Sequence, residues 1–266
     1  MFLKYLKQNT EKKLAAAKEE INLDLFIMNR HFLVEKEPIP HIIVDNFFTE
    51  NVYKELVSYF TQCLDRGLVE EMDSDSFHPF LNLKGAFAYD GYVHSLRYGE
   101  NKVPDILFSV EWNLLFSKIF NQQTDWCTQT AFHYHPSNNR TGFIHNDYAS
   151  KKFMSSNKLP NGVIAGEVAT YKKDDSRIYT STRIISLLYY LNNDSWKEGD
   201  GGETGLYLTK EGSPVKLIEP VNNRLFAFQI SPRSFHAFQK NLKPRSSIVQ
   251  WFHIDPAWCE KKYGFV

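Results

Sequence analysis

From Trp126 onward, short apolar segments alternate with turn signals, and this rhythm limits the fold more than any other feature of the 266-residue chain. Segments at 128–134, 142–148, 163–171, 178–191, 205–208, 215–218, 225–230, 236–238 and 246–254 read as strands. Between them stand Pro136-Ser137-Asn138-Asn139, Asp200-Gly201-Gly202, Glu211-Gly212-Ser213-Pro214 and Val221-Asn222-Asn223, clusters of the residues that turns require. Many short strands with regular turns lead to a sandwich, a jelly roll or a barrel.

The chain before Trp126 has a different period. Leu14, Ala17, Ile21, Leu25 and Met28 recur at helical spacing, with Thr10 as cap, and predict a helix over 10–30. Pro38 and Pro40 exclude helix beyond it. His41 to Asp45 reads as a short strand. Thr49 then caps a second helix with Val52, Leu56, Val57, Phe60 and Leu64 on one face. Residues 66–105 carry little signal, and a further helix is expected at about 105–121. Helices first and strands after give an α+β chain, with 1–125 as mainly helical N-terminal support and 126–254 as a β core, together one domain over 1–266.

Composition removes several functions. Lys+Arg and Asp+Glu balance at 31 each, so the basic excess of a nucleic-acid-binding surface is missing. The apolar run at 184–191 is too short to cross a bilayer, and no membrane association is expected. Cys63, Cys127 and Cys259 are odd in number and widely spaced, which suits neither a disulfide framework nor a structural zinc site. A reducing, cytoplasmic location with no signal peptide is the expectation.

Within the β region, His145 and Asp147 stand two residues apart in Gly142-Phe143-Ile144-His145-Asn146-Asp147-Tyr148. On a strand, residues i and i+2 share a face, so an imidazole and a carboxylate reach one point. With a distant second histidine they would form the facial triad of a non-haem Fe(II) site. H-x-D by itself also arises by chance on surface turns. His236, between aromatics in Ser234-Phe235-His236-Ala237-Phe238, is either a packed core histidine or that third ligand. Arg245 follows nine residues later and shares a strand face with Ser247, Val249 and Trp251. A guanidinium fork beside a hydroxyl suits a carboxylate ligand. In 183–192 a strand buried on both faces puts Ser186, Leu188 and Tyr190 together, so Tyr190 is either core packing or a helper of Arg245. The H-x-H pair His133 and His135 lacks an acidic partner, which favours a packing or substrate role near the site over metal binding. His253 reads as structural.

Taken together, R-I-I-S-L-L-Y-Y-L-N-N-D-S-W-K-E-G-D-G-G-E-T-G-L-Y (183–207), P-V-N-N-R-L-F-A-F-Q-I-S-P-R-S-F-H-A-F (220–238) and R-S-S-I-V-Q-W-F (245–252) resemble the 2-oxoglutarate/Fe(II)-dependent oxygenases, in their prolyl-hydroxylase-like branch. The resemblance covers about 128–254, with a weaker echo in P-I-P-H-I-I-V-D-N-F-F at 38–48. It implies a double-stranded β-helix (jelly-roll) core with the N-terminal helices packed on one sheet. It implies Fe(II) on His145, Asp147 and His236, with 2-oxoglutarate and O2 as co-substrates and ascorbate as a reductant. Arg245 would hold the distal carboxylate of 2-oxoglutarate, helped by Tyr190 and Ser247. Tyr134 matches a co-substrate-contacting tyrosine, Trp251 would line the pocket, and Arg183 would sit near the substrate mouth. A carboxylate at Asp147, where related halogenases have a small residue, favours hydroxylation. The branch leans toward a prolyl residue of a protein or peptide as substrate; a free amino acid or small metabolite is the alternative. A non-catalytic jelly-roll module would not need the triad, and a metal-dependent hydrolase would not need Arg245. The polar stretch 148–182 matches no family pattern and reads as a lid that sets specificity.

Overall fold

The computed structural model describes residues 21–70, 80–82, 91–168 and 175–264. Two sheets face each other, and helices cover the outer side of the larger one. The strands, in chain order, are β1 (His41–Val44), β2 (Leu68–Val69), β3 (Phe80–Asn82), β4 (Tyr92–Ser95), β5 (Cys127–His135), β6 (Ser150–Met154) and β7 (Ile164–Ala165). They continue with β8 (Ile178–Tyr190), β9 (Thr204–Tyr207), β10 (Lys216–Ile218), β11 (Arg224–Gln229), β12 (Phe235–Phe238) and β13 (Arg245–Ile254). The larger sheet runs β1-β11-β8-β13-β5-β4-β3-β2, with β6 paired to β8 and β7 to β5; the smaller runs β10-β9-β12.

Alternation along the central strands sorts side chains into two cores. On the outer side, Ile185, Leu187 and Tyr189 of β8, Leu225 and Ala227 of β11, and Ile248 and Phe252 of β13 pack in one cluster with the helices. Helix α1 (Glu50–Leu64) contributes Val52, Leu56, Tyr59, Phe60 and Cys63, and α2 (Val110–Ile119) contributes Trp112 and Phe116. On the inner side, Leu188, Tyr190, Phe226, Phe228 and Val249 meet Leu206 and Ile218 of the smaller sheet. This two-sided burial is why 183–191 is almost continuously apolar. A last helix, α3 (Pro256–Tyr263), is capped by the Asp255 carboxylate, which accepts from Ala257 N–H.

Several expectations need correction. Of the helix read over 10–30, residues 10–20 lie outside the described residues. The remainder holds one 3-10 turn, Leu23–Leu25, after which Ile27 bridges Phe48. Tertiary pairing of that backbone overrides the helical spacing. The helix read at about 105–121 is two elements, a 3-10 turn at Pro104–Phe108 and then α2, because the Ser109 hydroxyl accepts from Trp112 N–H and starts a new helix. The 1–125 region supplies strands β1–β4 as well as helices, all joined to the larger sheet. Residues 142–148 do not form a regular strand. They run extended beside β12, where His145 and His236 exchange both backbone hydrogen bonds in an isolated bridge.

Asp200-Gly201-Gly202 forms a tight turn, as its composition predicts. Gly201 has φ +76°, and a Cβ there would lie 2.0 Å from the Lys240 carbonyl oxygen. Only glycine fits so close an approach.

Candidate active site

The bridge between His145 and His236 decides the local geometry. It sets their rings 4.4 Å apart between centroids. Asp147 follows on the same side, with Oδ1 3.9 Å from His145 Nε2 and Oδ2 3.6 Å from His236 Nε2. One ligand atom from each of the three lies within 4.8 Å of the others. The irregular backbone does not spoil the convergence that i and i+2 spacing predicts.

Each imidazole is oriented by its other nitrogen. His145 Nδ1 lies 3.0 Å from the Phe143 carbonyl and His236 Nδ1 lies 3.1 Å from the Ser234 carbonyl. A carbonyl only accepts, so Nδ1–H donates and the Nε2 lone pair faces Asp147 in both rings. Burial, with His145 alongside, brings His236 down to about 4, so it is a neutral ligand at pH 7. Burial of Asp147 would raise its carboxyl, but the adjoining His236 and His145 rings, the Arg183 guanidinium and the Trp251 hydrogen bond outweigh this and hold it at about 2. Two imidazoles and a carboxylate, with no thiolate, are a donor set that fits Fe(II) with open coordination positions.

Asp147 is gripped from behind. Trp251 Nε1–H donates to Oδ2 at 2.7 Å, and the Arg183 guanidinium stands 3.7 Å from Oδ1. Arg183 lies 4.0 Å above the Trp251 ring and donates to Gln129 Oε1 at 2.8 Å. A cation stacked on an indole that holds the ligand carboxylate fixes all three groups together.

The triad opens into a cavity of about 880 Å³ that also reaches Arg245, Arg183, Trp251, Thr204 and Phe238. Arg245 is 4% exposed and opens β13 as expected. Its Nη2 donates to Thr204 Oγ1 at 3.2 Å, and its guanidinium lies 5.0 Å from the Tyr190 ring. Its Nε is buried without a hydrogen-bond partner. An orphaned guanidinium donor in a buried pocket fits a carboxylate ligand, because leaving it unmatched is costly. Tyr190 is fully buried; its hydroxyl bonds Thr204 Oγ1 at 2.8 Å, so it braces the pair rather than lining the cavity. Ser247 is fully buried on the same strand face and is not among the residues lining the cavity.

Tyr134 is a correction. It packs against Phe60 and Phe80 on the helix-covered side of the sheet. Alternation gives the cavity face of β5 to His133 and His135, both of which line it. The signal was present: Phe132 and Tyr134 form the apolar half of that strand. Burial first, and then Arg245, bring His133 down to about 3, so it presents a neutral imidazole. His253 is fully buried against Phe153, with Nδ1 3.1 Å from the Cys127 carbonyl, in line with a structural role. Within 148–182, Lys151, Asn157, Leu159 and Glu167 line the cavity, and Lys151 pairs with Glu167 at 3.2 Å; residues 169–174 of that stretch lie outside the described residues. Sequence reasoning missed Gln129, which stands in no motif, and gave no role to Thr204, although it lies in the 183–207 run.

Residues 131–253 match the family model described as the 2OG-Fe(II) oxygenase superfamily. The fold is similar to that of a Pseudomonas putida prolyl-4-hydroxylase, with TM-score 0.54 and 15% identity over 81% of this chain and 92% of that one. It is also similar to a Trichoplax adhaerens prolyl hydroxylase, solved with a hypoxia inducible factor peptide fragment, with TM-score 0.50 and 15% identity over 80% and 83%. A third similar structure is the viral collagen prolyl hydroxylase of Paramecium Bursaria Chlorella virus-1 in its 2OG complex, with TM-score 0.50 and 14% identity over 81% and 96%. These likenesses establish the double-stranded β-helix architecture. No helix among the described residues is long and apolar enough to cross a membrane.

Proposed function

We propose, from the match of residues 131–253 to the 2OG-Fe(II) oxygenase superfamily model, that the chain is a dioxygenase that hydroxylates a C–H bond of a prolyl residue in a protein or peptide. The observation that carries the chemistry is the presence of His145, Asp147, His236 and an Arg245 guanidinium with an unpartnered Nε in one cavity. When bound, Fe(II) and 2-oxoglutarate supply O2 activation, with oxidative decarboxylation of 2-oxoglutarate to succinate and CO2.

The chain's own residues supply position and shielding. The two Nε2 atoms and the Asp147 carboxylate would hold the metal, and their backing groups keep them from turning away. Arg245, braced by Thr204 and Tyr190, would take the far carboxylate of 2-oxoglutarate and so orient it in the cavity. Leu188, Val249 and Phe238 line the same cavity and exclude water beside the reacting atoms. Arg183 and Trp251 fix Asp147 and border the space left for the prime substrate.

The peptide reading draws on the fold shared with three prolyl hydroxylases and on a cavity with room beyond a five-carbon co-substrate. A free amino acid or small carboxylate is the second reading. It draws on Arg183 Nε, which is buried without a partner and would donate to a substrate carboxylate.

The test is succinate formation from 2-oxoglutarate with Fe(II), O2 and ascorbate. Wild type is expected to turn over slowly alone and faster with the correct substrate. D147A should abolish turnover. R245M should raise the 2-oxoglutarate KM about tenfold or more, the cost of one lost charge-assisted contact. An unchanged KM in R245M would remove Arg245 from the co-substrate site. Proline-containing peptides and free L-proline, tried as stimulants, separate the two substrate readings.

A further inference from the structure

We propose that His135 is a second co-substrate-binding residue, whose ring N–H meets the distal carboxylate of 2-oxoglutarate from the strand opposite Arg245. The inference rests on the reading of this cavity as a 2-oxoglutarate site and adds a contact to it that no motif in the chain announces.

Strand register carries the assignment. β5 and β13 are antiparallel, and His135 is the direct partner of Arg245. Directly opposed residues point to the same face, with Cβ atoms about 5 Å apart. Both side chains line the cavity, and His135 is 1% exposed. They also share a neighbour: the His135 ring centroid is 4.6 Å from that of Phe238, and the Arg245 guanidinium is 5.6 Å from the same ring. Phe238 therefore backs both groups, and a ligand on the guanidinium lies within reach of the imidazole.

The chemistry of the carboxylate asks for such a group. Its two oxygens offer about four acceptor sites. Arg245 commits one Nη2 hydrogen to Thr204 Oγ1, and its fork cannot fill every remaining site on a buried anion. Imidazole always keeps at least one N–H. The competing possibility is that His135 merely packs on Phe238 and walls the cavity. In that case its loss would disturb every ligand of the iron alike.

The two possibilities separate with a co-substrate that lacks the far carboxylate. The full chain is loaded with Fe(II) without O2, and the Kd of the keto acid is read from the visible absorbance of its iron chelate. The ligands are 2-oxoglutarate and 2-oxobutanoate. H135L should weaken 2-oxoglutarate about tenfold and leave 2-oxobutanoate unchanged, and H135Q, which keeps an N–H donor, should recover most of the loss. An equal loss for both ligands, or no loss for 2-oxoglutarate, would overturn the assignment. R245M is the control for the underlying reading: if it too fails to weaken 2-oxoglutarate selectively, the cavity is not the co-substrate site. The wild-type chain gives an independent answer should H135L not fold. With Zn(II) replacing iron, the ring 15N shifts of His135 should move with 2-oxoglutarate and stay in place with 2-oxobutanoate; equal responses would again exclude the contact.

Discussion

Histidines illustrate how burial sets chemistry at the scale of single residues. His253 is fully enclosed, and burial, aided by the charge of Arg183, brings its imidazole down to about 3. In the unfolded chain it would titrate near 6.5. Between those values the unfolded state holds a proton that the folded state refuses. Acidification through this window therefore favours unfolding, and stability rises with pH across it. From pH 7 to pH 5 this one residue should cost about 2 kcal/mol of folding stability. Urea unfolding of the metal-free chain at the two pH values checks it: H253Q should show a smaller drop than wild type, and an identical drop would refute the cause. The same scale shows what sequence could and could not tell. His145, Asp147, His236 and Arg245 were legible from order and spacing, and the structure brings all four to one cavity. Tyr134 was misplaced because a one-residue step along a strand exchanges its faces. The motif gives the distance along the chain, but only the packing of Phe132 and Tyr134 against α1 tells which face is which.

At the scale of elements, β13 joins the two sides of the molecule. Its cavity face carries Arg245, Val249 and Trp251. Its helix face carries Gln250, fully buried, whose Oε1 accepts from Trp112 Nε1–H at 2.8 Å. The Gln250 amide nitrogen donates to the Leu107 carbonyl at 2.7 Å and to Thr128 Oγ1 at 2.9 Å. One amide thus ties α2 and the turn before it to the strand that holds the site. Q250L would leave the Trp112 donor and the Leu107 acceptor buried and unmatched, and should cost about 2–4 kcal/mol in urea unfolding; a loss below about 0.5 kcal/mol would show that the network is not needed. Sequence located most core strands, because a two-faced sheet writes a strong apolar run. It did not locate β2–β4 or β6. These are short, and all but β3 are half-exposed, so their side chains carry no clear period, and their pairing is decided by neighbours far along the chain. The chemistry read in 142–148 needs no regular strand, since a single bridge to His236 is enough to aim two ligands.

The whole molecule is a sheet used on both sides. Helices and aromatic side chains fill the outer face, and the inner face is left partly open between the two sheets, where polar groups converge. The outer packing gives the inner face a rigid frame, so the ligands need little reorganisation when metal binds. The segment after Tyr148 adds Lys151, Asn157 and Glu167 to the cavity lining, from a part of the chain that had no legible pattern. Loops are read poorly from sequence because their conformation answers to the scaffold beneath them. The account stands on the three converging ligands, and equilibrium iron binding tests them most directly. Anaerobic dialysis against Fe(II), with metal analysis, should give one iron per wild-type chain and at least a hundredfold weaker binding in H145A, D147A and H236A, each checked for a wild-type melt. Wild-type affinity in any of the three would contradict the site.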